Sequence, residues 1–164
     1  MLRRAAALDL AVLRFLRTTG HSASAETAVR RFSALGEHAA VWLALGGLGM
    51  ALDPPSRARW RRGATLVAAG YGLNTAIKLA VRRRRPRLPG LPPLAGTPTG
   101  LSFPSAHATS SFAGARAYSA LMPAPPLYAL AAGLALSRLY LGVHYPSDSL
   151  AGMALGLVVG SARR

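Results

Sequence analysis

Residues 36–52, 63–81, 108–122, 124–141 and 146–162 are apolar runs of 15 to 19 residues, and most of the charged residues fall outside them. Their apolar positions neither alternate as in a strand nor keep to one stripe, so each run predicts a helix that is hydrophobic on nearly every side. Singly they are short against the roughly 20 residues that cross about 30 Å of hydrocarbon. As a set they would leave a soluble bundle without a polar coat, and the Gly and Ala in every run suit helices packed closely in lipid. The predicted fold is all-α: a polytopic membrane helical bundle of about five transmembrane helices, one domain over residues 1–164 with its transmembrane core at 36–162.

The first 18 residues predict something different. On a helix Leu2, Ala5, Leu8, Val12, Phe15 and Leu16 share one side, while Arg3, Arg4, Arg14 and Arg17 gather on the other. Asp9 alone falls within the apolar arc. The pattern is that of an amphipathic helix lying in the membrane interface with its cationic face among anionic lipid head groups, not that of a signal peptide. Residues 18–33 carry His21, Glu26, Arg30 and Arg31 and predict a polar, partly helical connection at the surface.

Charge then separates two classes of partner. The chain holds 20 Lys plus Arg against 5 Asp plus Glu, a formal net charge of +15, yet 51% of it is hydrophobic. A disordered basic tail could not be so apolar, and a nucleic-acid binder would spread its cations over one face. Here Arg57, Arg59, Arg61 and Arg62 sit in one predicted connection, and Arg82 to Arg85 with Arg87 in another. Such confinement belongs to the loops of a membrane protein, with no nucleic-acid partner and a cell-membrane location. The absence of cysteine excludes disulfides and thiolate metal sites.

Polar residues at the ends of apolar helices are costly and therefore carry functional meaning. Three groups stand out: Lys78 with Arg82 to Pro86; Ser102 to His107; and Ser137, Arg138, His144, Pro146 and Asp148. Because successive crossings alternate sides, the second run exits where the third enters and the fourth exits where the fifth enters. All three groups thus converge on one membrane face, with residues 82–107 supplying an active-site loop. Lys78, Arg85, Arg138 and the Ser105 hydroxyl form a cationic cradle for a phosphate. Asp148, four residues after His144, can accept its imidazole N–H and sharpen the other nitrogen as a nucleophile, leaving His107 as a general acid. So many cations would repel a divalent metal, and no cofactor is called for.

These residues resemble a three-part signature. Lys78-x6-Arg85-Pro86, Pro104-Ser105-Ala106-His107 and Ser137-Arg138-x5-His144-x3-Asp148 are similar to the motifs of the type 2 phosphatidic acid phosphatase superfamily, relatives of the vanadium haloperoxidases. The resemblance covers about half the chain and departs from the family where Ala106 replaces a glycine. It implies His144 as nucleophile, Asp148 as its orienting partner and His107 as the acid that protonates the leaving alkoxide. Lys78, Arg85, Ser105 and Arg138 become phosphate ligands, with the Ala106 N–H as a further donor. It further implies a six-helix core in which the short N-terminal helix here replaces a full first crossing.

The implied activity is hydrolysis of a membrane lipid phosphate through a phosphohistidine. The substrates that the resemblance implies are phosphatidic acid, phosphatidylglycerol phosphate, polyprenyl diphosphates and polyprenylphosphoryl-5-phosphoribose of cell-wall biosynthesis. Two competing readings are a vanadate-dependent haloperoxidase-like enzyme, disfavoured by the membrane segments, and a non-catalytic subunit that binds anionic lipids. Binding alone needs cations but no nucleophile. Arg83, Asn74 and Glu37 remain as substrate contacts or, respectively, a solvated charge, a helix-packing amide and a cap. Residues 90–100, rich in Pro and Gly, predict a loop that closes over the pocket or merely links two helices.

Overall fold

The computed structural model describes residues 2–162, and the side chains from residue 6 to residue 162. Seven α-helices follow in order: α1 (Leu2–Thr18), α2 (Ala23–Ala34), α3 (Ala40–Leu52), α4 (Arg57–Val81), α5 (Ala106–Tyr118), α6 (Ala124–Tyr140) and α7 (Pro146–Gly160). The predicted runs reappear as α3 to α7 with shifted ends. The largest shift is at α4, which begins at Arg57. The arginines at 57, 59, 61 and 62 are therefore helical, and the connection shrinks to the Pro54–Ser56 turn. Two consecutive prolines close α3 and pre-set the turn, and the helix that follows simply carries its charged end beyond the apolar part.

α5 is the axis of the bundle. Ala108, Thr109, Ser110, Ser111, Phe112, Ala113, Gly114 and Ala115 are all buried, although the helix is rich in hydroxyls. Each hydroxyl is satisfied locally or across the core: Thr109 donates to the Ser105 carbonyl, Ser110 to that of Ala106, and Ser111 accepts from the Trp42 indole. Polar side chains so paired lose little on burial. α7 lies against this axis through Gly152, Gly156 and Gly160, where an added Cβ would collide with the Ser105, Thr109 and Ala113 carbonyls respectively. The four-residue spacing keeps all three on one stripe, which brings the N-terminal ends of α5 and α7 together.

Large apolar side chains lie on the outer faces of four helices. Leu43, Leu48 and Leu52 on α3, Leu73 and Leu79 on α4, Leu136 on α6, and Leu150 and Val158 on α7 are all exposed. Among the described residues one continuous helical stretch, Pro54–Val81, is long and apolar enough to cross a membrane alone. α2 and the following Glu37–Leu52 segment meet that test only together, across a 46° bend. α3, α5, α6 and α7 have 13 to 17 residues, or about 20 to 26 Å at helical rise.

α1 docks by a narrow stripe. Its apolar residues Leu8 and Phe15 are 65% and 63% exposed, while Asp9, Leu13 and Arg17 are 8%, 0% and 5% exposed. The helix docks by this stripe and leaves Leu8, Phe15 and Arg14 at the surface, because Asp9 and Arg17 find partners at one end of the bundle. Asp9 accepts from Ser147, and Arg17 donates to the Pro92 carbonyl at 2.8 Å. The Arg3 and Arg4 side chains of the expected cationic face lie outside the described residues. Residues 23–34, expected as partial helix, form all of α2, capped by Ser22.

Candidate active site

The C-terminal ends of α4 and α6 and the N-terminal ends of α5 and α7 meet at one end of the bundle, around a cavity of about 160 Å³. Lys78, Arg85, His107, Arg138 and His144 line it, with Glu37 at its edge. α4 ends where Arg82 takes the left-handed conformation, and the chain turns directly into the 82–105 loop. The Ser102 N–H pairs with the Arg83 carbonyl and the Arg85 N–H with that of Gly100, so the two arms of the loop hold each other. The predicted closing loop does reach the cavity: Pro98 and Thr99 line it, and Arg85 Nε donates to the Thr99 carbonyl at 2.9 Å.

Three cations face this space. Lys78 Nζ donates to the carbonyls of Pro104, at 2.9 Å, and Ser102, at 3.3 Å. Arg85 donates to the Val143 carbonyl at 2.7 Å and approaches His144 Nε2 at 3.1 Å. Arg138, 3% exposed, donates from one terminal nitrogen to Ser33 Oγ at 2.8 Å, while its buried Nε has no hydrogen-bond partner among the described residues. Burial, and then the neighbouring Arg138, push the Arg85 guanidinium down to about 10, which leaves it charged at neutral pH. A guanidinium N–H that is buried without an acceptor is a donor poised for an anion.

The imidazoles are held from opposite sides. His144 Nδ1 lies 3.5 Å from Asp148 Oδ2 and makes no other hydrogen bond among the described residues. A slight approach would complete an Nδ1–H bond to the carboxylate, leaving Nε2 unprotonated beside Arg85. Burial pushes the His144 imidazole down to about 4; Asp148 opposes the shift, and the charges of Arg85 and Lys78 add to it. The ring is thus neutral at physiological pH. Asp148 is fully buried and its Oδ2 also accepts the Tyr145 N–H at 2.9 Å. His107 Nε2 donates to the Ser33 carbonyl at 3.0 Å. Gly36 leaves room for that ring, since a Cβ there would sit 2.7 Å from its Cδ2.

The remaining predicted residues take different places. Ser105 is the N-cap of α5, its Oγ accepting from the Ala108 N–H, and Ala106, the first helical residue, lines the cavity. Asn74 also lines it, and its Nδ2 donates to Thr109 Oγ1 and the Pro104 carbonyl, so it braces the Pro104 turn beside Lys78. Glu37 stands exposed at the rim. Arg83 does not line the cavity, and its two terminal nitrogens bind Asp148 and Asp9, each at 2.9 Å. Sequence reasoning missed Ser33, which holds both Arg138 and His107. It is an ordinary serine at the end of a polar segment, and nothing local marks it. The Asp9 anomaly was visible, but its partners are 74 and 138 residues away.

Facing cations, a neutral imidazole backed by a carboxylate, and a second imidazole on a fixed backbone carbonyl are the equipment of a phosphatase, here set in a bundle with large apolar side chains on its outer faces. Comparison with known proteins agrees. The PAP2 superfamily model matches residues 61–163. The decaprenylphosphoryl-5-phosphoribose phosphatase of Mycolicibacterium smegmatis is 44% identical over 128 residues, covering 77% of this chain and 70% of that one. Among solved structures, the transmembrane PAP2-type phosphatidylglycerolphosphate phosphatase of Bacillus subtilis superimposes with a TM-score of 0.78 at 21% identity, covering 96% of this chain and 83% of that one. LpxE of Aquifex aeolicus gives a TM-score of 0.74 at 21% identity, covering 93% and 92%. The chain belongs to the PAP2 superfamily and is a phosphatase.

Proposed function

We propose that this protein is a multi-pass lipid phosphate phosphatase of the plasma membrane that hydrolyses the phosphomonoester of a polyprenylphosphoryl-5-phosphoribose through a phosphohistidine on His144. The observation that carries the mechanism is the cavity itself: Lys78, Arg85 and Arg138 face the same space as His144 and His107. The polyprenyl phosphoribose assignment rests on the Mycolicibacterium relative, whose identity extends over most of both chains. The exposed leucines of α3, α4, α6 and α7 support a membrane crossing by each of these four helices around the buried α5, with α1 lying across the cavity end.

In the first step the three cations and the N–H groups at the start of α5 hold the phosphoryl oxygens, which neutralises the charge that spreads over them. The His144 Nε2 lone pair attacks phosphorus while the bond to the ester oxygen breaks. His107 gives a proton to the departing alkoxide, and Asp148 stabilises the positive ring. In the second step His107, now neutral, takes a proton from water as the oxygen attacks phosphorus. The P–N bond breaks, inorganic phosphate leaves and both imidazoles return to their starting states. Lys78, Arg85, Arg138, Ser105 and the Ala106 N–H bind phosphate throughout.

The test is phosphate release by purified protein in phosphatidylglycerol vesicles, with polyprenylphosphoryl-5-phosphoribose, phosphatidic acid, phosphatidylglycerol phosphate and a polyprenyl diphosphate compared. The phosphoribose lipid is expected to have the highest kcat/KM. A clear preference for another of the four would overturn the substrate assignment, and release from none would overturn the activity.

A further inference from the structure

α1 carries an acid where an interfacial helix should carry none, and the proposed chemistry makes no use of it. Asp9 is 8% exposed and sits at the outer end of a charge chain. Its Oδ2 is 2.9 Å from one terminal nitrogen of Arg83, and the other terminal nitrogen is 2.9 Å from Asp148 Oδ1. Asp148 Oδ2 in turn faces His144 Nδ1 at 3.5 Å. The Arg83 guanidinium lies over the Tyr145 ring, 3.9 Å from its centroid, which fixes the plane of the fork. Asp9 also accepts the Ser147 N–H at 2.9 Å and the Ser147 hydroxyl.

We propose that Asp9 is a positioning residue for the reaction, holding Arg83 against Asp148 so that Asp148 keeps its place beside His144. The inference rests on the phosphohistidine reading above. Its physical basis is charge balance. An Arg83–Asp148 pair alone would be neutral, and the guanidinium would cancel much of the carboxylate's field at the imidazole. With Asp9 on the far side of the fork, the three groups carry one net negative charge, which favours the ring as it becomes positive. The fork geometry matters as well, since only a planar guanidinium reaches two carboxylates from two nitrogens at once. An element that lies along the surface thereby reaches the nucleophile through two side chains. Leu8 and Phe15, on the opposite side of the same helix, face outward.

The experiment measures kcat and KM of the full chain in phosphatidylglycerol vesicles with the best lipid phosphate of the panel. Wild-type turnover is read first, and its absence would overturn the phosphatase reading and this relay with it. Given turnover, Asp9→Asn is expected to lower kcat ~10-fold with KM within ~2-fold of wild type, the scale of a lost outer-shell partner. In an Arg83→Gln background the same change is expected to cost less than ~2-fold, because Asp9 acts through Arg83. Wild-type kcat in Asp9→Asn would overturn the proposal. Equal losses in both backgrounds would do so too, assigning Asp9 to docking on Ser147 alone. Should Asp9→Asn fail to fold, Arg83→Lys serves instead, since one ammonium cannot span both carboxylates. It is expected to show the same kcat loss at unchanged KM, and wild-type kcat there would overturn the relay.

Discussion

His144→Ala is expected to lower kcat by at least ~10³-fold, with the protein still folded and still holding lipid phosphate. The cations that bind the phosphoryl group belong to other residues, so the ground state loses little. What disappears is the unprotonated imidazole nitrogen 3.1 Å from Arg85, and with it the atom that would bond to phosphorus. The burial that pushes this ring down to about 4 keeps it nucleophilic across the neutral range. A binding subunit would be indifferent to the change. Phosphate release together with retained binding of labelled lipid phosphate checks the expectation, and turnover within ~10-fold of wild type would remove His144 from the reaction.

His107→Gln is expected to divide substrates by their leaving group. On a lipid phosphate the departing alkoxide is strongly basic and needs a proton, so kcat should fall ~10² to 10⁴-fold. On p-nitrophenyl phosphate the leaving phenolate needs none, and the loss should stay below ~10-fold. Glutamine suits the comparison because its amide can still donate to the Ser33 carbonyl that His107 Nε2 now uses. Equal losses on both substrates would make His107 a structural or phosphate-binding residue instead of the acid.

The sequence made the bundle legible because hydrophobicity persists over whole helices, and the alternating direction of successive helices then brings particular ends together. The helix ends were less legible. Arg57 to Arg62 look like a loop by charge, yet charge at a helix end costs nothing once the helix leaves the hydrocarbon, so α4 simply continues through them. The convergence of Lys78, Arg85, His107, Arg138 and His144 on one cavity could be anticipated from motif spacing, since each lies at or just beyond a helix end. The supports could not. Ser33 on α2 and Asp9 on α1 reach the site from 74 or more residues away. Amphipathicity did not show which stripe of α1 packs: Asp9 and Arg17 turn inward with Leu13 because partners await their side chains. In a membrane protein an apolar stripe can face the solvent, which is lipid, and the side of a helix that packs is the side with specific partners.

The central claim is that the phosphoryl group passes through His144, and trapping the intermediate tests it most directly. Purified protein in vesicles is mixed with lipid phosphate labelled in its terminal phosphoryl group, quenched in alkali during turnover, and its peptides are read by mass spectrometry. The account predicts an alkali-stable, acid-labile phosphate on the peptide that holds His144, absent in His144→Ala. Turnover with no labelled protein, or with the label on any other residue, would contradict it.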